Sequence, residues 1–124
     1  MNKQRPKHLA LHLIQLPLPG FVSVLHRVSG LLLFLALPLL LLMLQYSLRS
    51  IETYTQLMAV LAHPLAKLML LGVLWAFLHH FCAGLRYLAI DLHHVRNLAQ
   101  ARASSKMVLA ASLVLTALLG VKLW

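Results

Sequence analysis

Three apolar runs without a single charge set the terms on which this chain can fold. Val28 to Leu48 is 21 residues long, between Arg27 and Arg49, and Leu68 to Leu85 is 18, between Lys67 and Arg86. Met107 to Val121 adds 15 more and continues past Lys122 to Trp124. One bilayer crossing takes about 20 apolar residues as a helix. A lysine near a span's end reaches the interface along its own aliphatic stem, so the third run also crosses. Lipid offers the backbone no hydrogen bonds, so each run is expected to be α-helical. The first run is too long for a cleaved leader and lacks a small-residue cleavage pattern, and it reads as a retained anchor. Pro38 lies inside it and removes one backbone hydrogen bond, which predicts a kink.

Composition agrees and excludes the alternatives. Of 124 residues, 61% are hydrophobic and 10% charged, against about 25% charged in soluble domains, so a water-soluble globule has too few charges for its surface. Disorder fails for the opposite reason, an excess of apolar side chains. The formal charge of +9 sits between the apolar runs, which is the pattern of membrane topology rather than of nucleic-acid binding. The single Cys82 rules out an internal disulfide and a cysteine-held metal or iron–sulfur cage.

The expected fold is an all-α integral membrane protein, one membrane-anchor domain over residues 1–124. It has an N-terminal segment at 1–20 and spans at about 21–48, 68–86 and 106–123. Eight cations fall on one side: Lys3, Arg5, Lys7, Arg27, Arg86, Arg96, Arg102 and Lys106. Three fall on the other: Arg49, Lys67 and Lys122. The positive-inside bias puts the N-terminus in the cytoplasm and the C-terminus in the periplasm. Gln15 to Gly20 reads as a turn before the first span. Leu88, Leu92, Val95 and Ala99 recur at helical spacing, so the second helix is expected to continue as an amphipathic piece toward Ala99.

Polar groups at membrane depth cost a few kcal/mol and mark candidate sites. Ser23, His26, Arg27 and Gly30 are spaced to share one face of the first helix. A hydroxyl, an imidazole and a guanidinium there can hold an anion or polarise a carbonyl. For Arg27 alone the plain reading is a boundary cation; for the whole stripe a binding role is favoured. His80, Gly84, Tyr87 and Asp91 share a second face, while His79 turns toward Cys82 and Arg86. A neutral imidazole in a bilayer suits haem iron, Gly84 would leave a notch for a porphyrin, and Arg86 or Tyr87 would meet its propionates. The competing reading makes His80 an ordinary interhelical hydrogen-bonding group, and spacing alone leaves both open. His93 and His94 read as solvated loop beside Asp91, a weak metal candidate because adjacent helical residues diverge by about 100°. His8, His12 and His63 read as exposed or interfacial, and Cys82 as a small apolar filler. Ser112, Thr116 and Gly120 form a small-residue stripe for close packing against another helix, which points to a chain with partners. No phosphate loop, paired carboxylates or nucleophile–base set is present, so a self-sufficient enzyme is not expected.

At these residues the chain resembles the cytochrome b membrane-anchor (C) subunits of succinate dehydrogenase, or complex II. The resemblance runs through Arg5–Pro6, then Ser23-x-Leu25-His26-Arg27-Val28-Ser29-Gly30, then His80-x-x-x-Gly84-x-Arg86 and Asp91, over essentially the whole chain. It implies a subunit that is not catalytic by itself, in a bacterial inner membrane. Its partners would be a flavoprotein subunit, an iron–sulfur subunit and a second three-helix anchor. It also implies roles residue by residue: His80 as one axial ligand of a haem b shared with the second anchor, Ser23 and Arg27 in the ubiquinone site, and His26 with Arg27 near the haem propionates. Tyr87 stands where some bacterial relatives have histidine; a phenol donates one hydrogen bond but carries no charge. Two other readings compete. The second anchor subunit itself is opposed by the Ser23–Gly30 stretch and by Leu92. A cofactor-free transporter or assembly factor would have no use for His80.

Overall fold

The computed structural model describes residues 15–124; Lys3, Arg5, Pro6, Lys7, His8 and His12 lie outside that range. Among the described residues four helices follow one another: α1 (Leu18–Ser47), α2 (Ile51–Leu61), α3 (Pro64–Asp91) and α4 (Leu98–Leu123). There is no strand among the described residues. The three long helices α1, α3 and α4 are each long and apolar enough to cross a membrane.

The ends depart from expectation, each for a local reason. α1 begins at Leu18, so Pro19 and Gly20 belong to its first turn rather than to a connecting turn. A proline is harmless there, because the first N–H groups of a helix have no partner to lose. The helix then runs unbroken through Pro38. α2 was not expected. Ser50 starts it with a capping box, its hydroxyl accepting the Thr53 N–H at 3.1 Å while Thr53 Oγ1 accepts the Ser50 N–H at 3.0 Å. Its 11 residues measure about 16 Å, half a bilayer core. Tyr46 ties it back to α1 by donating to Gln56 Oε1 at 2.7 Å.

α3 starts earlier than its apolar run, with His63 Nδ1 accepting the Leu65 N–H at 3.2 Å and Pro64 in the first position. It also ends sooner than the amphipathic pattern suggested: the helix stops at Asp91 and does not reach Ala99. His93, with φ 61°, turns the chain, its N–H reaching Ile90 O at 2.9 Å and the His94 N–H reaching Ala89 O at 3.0 Å. This is the paired-bond helix terminator that glycine usually provides. Asn97 then caps a new helix by accepting the Gln100 N–H at 2.8 Å. α4 therefore begins at Leu98, and Arg102 and Lys106 stand on a helix rather than in a loop.

The packing is inverted relative to a soluble bundle. Among the described residues five hydrophobic ones are buried, Val22, Ala76, Leu78, Ala83 and Val108, against six polar ones: Ser29, His79, Arg86, Ser105, Ser112 and Thr116. Large apolar side chains such as Phe34, Leu35, Leu41, Leu68 and Leu113 face outward. Lipid is as apolar as leucine, so close backbone approach and interhelical hydrogen bonds hold such helices together. Ser112, Thr116 and Gly120 show how. They turn inward, and a Cβ on Gly120 would lie 2.8 Å from Leu71 Cδ1 of α3. The small-residue stripe is thus consumed within this chain and is not the surface offered to a partner. The hydroxyls cost nothing unsatisfied, since Ser105 and Thr116 donate to carbonyls one turn back, each at 2.7 Å.

Candidate functional site

Where α1 crosses α3, near the first turns of α1, the two polar stretches meet. The four-residue stripe on α1 divides. Ser23 and Arg27, one turn apart, stay together at the edge of the bundle, with Arg27 Nη2 donating to Ser23 Oγ at 3.3 Å. Arg27 is exposed and Ser23 half-buried. His26 turns instead onto α3, about 100° from Arg27 around the helix. Its ring stacks on His80 with centroids 4.1 Å apart and planes within 10°, and meets the Tyr87 ring edge-on at 5.2 Å.

His80 is the best-determined side chain of this group. Its Nδ1 lies 3.0 Å from the His26 carbonyl oxygen and 3.3 Å from Ser29 Oγ. A carbonyl oxygen only accepts, so an approach of 3.0 Å requires a proton on Nδ1. A ring carrying its one proton there has its lone pair on Nε2. Ligand histidines typically have this arrangement, one nitrogen tied to a carbonyl and the other free for the metal. The glycine against which His80 is seated is Gly30, where a Cβ would lie 2.9 Å from His80 Cε1; at Gly84 only His26 Nε2 comes near, at 4.0 Å.

One imidazole is therefore suited to an axial position of haem iron. Among the described residues no second imidazole is placed to join it. His26 lies stacked face to face on His80 and would support that ring rather than hold the same group opposite it. His79 is fully buried, against Trp75 with ring centroids 5.3 Å apart. Neither of its ring nitrogens has a hydrogen-bond partner, nor has Trp75 Nε1. No group of three His, Cys, Asp or Glu gathers among the described residues.

The remaining candidates fall out by helical angle. Tyr87, seven residues after His80, shares its face, and its hydroxyl is buried without a partner. Arg86, six residues on, sits about 120° away. It is buried between helices, donating from Nε to Ser104 Oγ at 3.0 Å and from Nη2 to the Ala101 carbonyl at 3.3 Å. In this chain Arg86 is a strut between α3 and α4. Asp91, His93 and His94 are exposed at the end of α3, and Cys82 packs beside the Val22–Ala83–Val108 cluster. Sequence reasoning passed over Ser29 as a member of the site. Its signals were its membership of the Ser23–Gly30 stretch and its place three residues after His26, where a helical hydroxyl reaches back to the His26 carbonyl.

Comparison with known proteins gives one consistent answer. Residues 1–119 match the family described as Succinate dehydrogenase/Fumarate reductase transmembrane subunit. The succinate dehydrogenase cytochrome b556 subunit of Coxiella burnetii is 35% identical over 125 residues, covering 100% of both chains. That of Paracoccus denitrificans is 31% identical over 92% of this chain and 88% of its own. The Rickettsia felis subunit is 28% identical over 95% and 92% respectively.

Proposed function

The chain belongs to the succinate dehydrogenase/fumarate reductase transmembrane subunit family, and from that premise we propose that it binds haem b and forms part of a ubiquinone site in complex II. The observation that carries the haem assignment is the Nδ1 of His80 held at 3.0 Å from the His26 carbonyl, which leaves Nε2 as a free ligand. The family resemblance implies that the second anchor subunit would supply the other haem ligand, and among the described residues no other imidazole of α1 or α3 is placed to share that role with His80. When bound, haem b would supply reversible one-electron storage. His26 holds the plane of the His80 ring by stacking, and Tyr87, on the same face, has one hydroxyl proton to give.

Ser23 and Arg27 are the quinone residues. The Ser23 hydroxyl accepts from Arg27, so its own proton remains available. The pair thus presents hydroxyl and guanidinium donors to quinone oxygens as negative charge develops there. Electrons from succinate would arrive through the flavoprotein and iron–sulfur subunits. The cation asymmetry supports an orientation with this edge at the cytoplasmic side and the C-terminus in the periplasm, in the bacterial inner membrane that the family resemblance implies. A reporter fused after Trp124 and active only in the cytoplasm would contradict that orientation.

Two measurements test the reading. The dithionite-reduced minus air-oxidised spectrum of the purified complex shows sharp b-type bands that vanish in His80→Ala. Their persistence would remove His80 as the ligand. Arg27→Leu lowers succinate–quinone reductase activity more than succinate oxidation by an artificial acceptor. Equal loss in both assays would make Arg27 an assembly residue.

A further inference from the structure

Three polar atoms meet under the His80 ring. Ser29 Oγ lies 2.8 Å from the His26 carbonyl oxygen and 3.3 Å from His80 Nδ1, and Nδ1 lies 3.0 Å from the same carbonyl. We infer that Ser29 is a positioning residue for His80, fixing the proton on Nδ1 and setting how strongly Nε2 donates. The inference rests on the reading of His80 as an iron ligand.

The protons can be placed in two ways. In the first, the Ser29 hydroxyl donates to the His26 carbonyl, and its oxygen lone pairs face Nδ1–H. Every close pair is then a donor and an acceptor. In the second, the hydroxyl donates to a bare Nδ1. That sets the ring lone pair against the carbonyl oxygen at 3.0 Å and puts the ring proton on Nε2, where it blocks coordination. The first arrangement is the one without a repulsive contact. It is also self-reinforcing, since a hydroxyl that donates becomes a better acceptor.

A serine bonded to a carbonyl one turn back is ordinary in a helix. What sets Ser29 apart is the contact to a ring 51 residues away in sequence, at a position only 3% exposed. Water does not reach it to substitute for the hydroxyl. Acceptors at the remote N–H of a ligand imidazole raise its basicity, and a more basic axial ligand lowers the reduction potential of the bound group. Removing the hydroxyl leaves one acceptor in place of two.

The test is Ser29→Ala in the whole complex, with Ser29→Thr as the variant that keeps a hydroxyl. Haem-to-flavin ratio, the haem potential by dye-mediated redox titration and the low-spin EPR signal are measured together. The expected result is haem retained in Ser29→Ala with its potential shifted upward and its EPR g values changed, and both restored in Ser29→Thr. Haem lost in Ser29→Ala but retained at the wild-type potential in Ser29→Thr also supports the role. An unchanged or lowered potential in Ser29→Ala, or equal haem loss in both variants, overturns it and leaves Ser29 as packing. Haem bands that survive His80→Ala, or a wild-type complex without haem, would instead overturn the reading of His80 and this inference with it.

Discussion

Gly30→Ala is the sharpest test of the α1–α3 crossing. The added methyl would stand 2.9 Å from His80 Cε1 and 3.3 Å from Nδ1, so something must move by several tenths of an ångström. The backbone of α1 is fixed by its own hydrogen bonds. The ring is fixed by the His26 carbonyl behind it and the stacked His26 imidazole beside it. Overpacking of this kind costs about 1–3 kcal/mol, while alanine recovers about 1 kcal/mol of helix propensity. Bundle stability therefore changes little. The strain falls on the contact between His80 and the His26 carbonyl, and at about 1.4 kcal/mol per tenfold it weakens haem retention roughly tenfold. The assay is haem-to-flavin ratio in the purified complex against increasing detergent washes, beside a thermal melt. Gly72→Ala is the control, since nothing lies within 4 Å of its added methyl. Full haem retention in Gly30→Ala, equal to that of Gly72→Ala, would refute the argument that His80 is seated against α1 through Gly30.

Further outcomes follow from other contacts. Arg86→Leu removes two hydrogen bonds from a buried guanidinium to α4 and destabilises the subunit by about 2 kcal/mol; the melt falls while the haem spectrum keeps its position, and a shifted spectrum would place Arg86 at the haem after all. His93→Gly relieves the left-handed φ of 61° and stabilises by about 1 kcal/mol, read as a raised melting temperature with activity unchanged. Ser50→Ala removes the cap of α2 at about 1 kcal/mol, so amides of its first turn exchange about fivefold faster in deuterium while quinone reduction is unaffected.

Insertion in a bilayer depends on local hydropathy, so the three spans could be read from uncharged runs. Their ends could not, because hydropathy marks the lipid boundary while caps and turns mark the helix boundary. Leu98 to Ser105 is polar enough to look like loop, yet it is helix, started by Asn97. Ser50 and Thr53 carried a capping signal for α2 that the search for spans passed over. Helical spacing already set His80 and Tyr87 on one face and Arg86 on another; it could not show that the Arg86 guanidinium is taken up by Ser104 and the Ala101 carbonyl of α4.

The amino-acid sequence by itself determined that this chain is a three-span helical membrane protein, and its two polar stretches carried the family resemblance. Both are properties of short segments, written in residue type and spacing. Only the tertiary structure decided which polar groups touch. It separated His26 from Arg27, took the α4 stripe inside the bundle and made Arg86 a strut. It also set Ser29, Gly30 and the His26 carbonyl of α1 beneath the ring of His80 on α3. Those pairings depend on where two helices cross and how each is rotated, which is fixed by side chains interlocking between segments far apart in the chain.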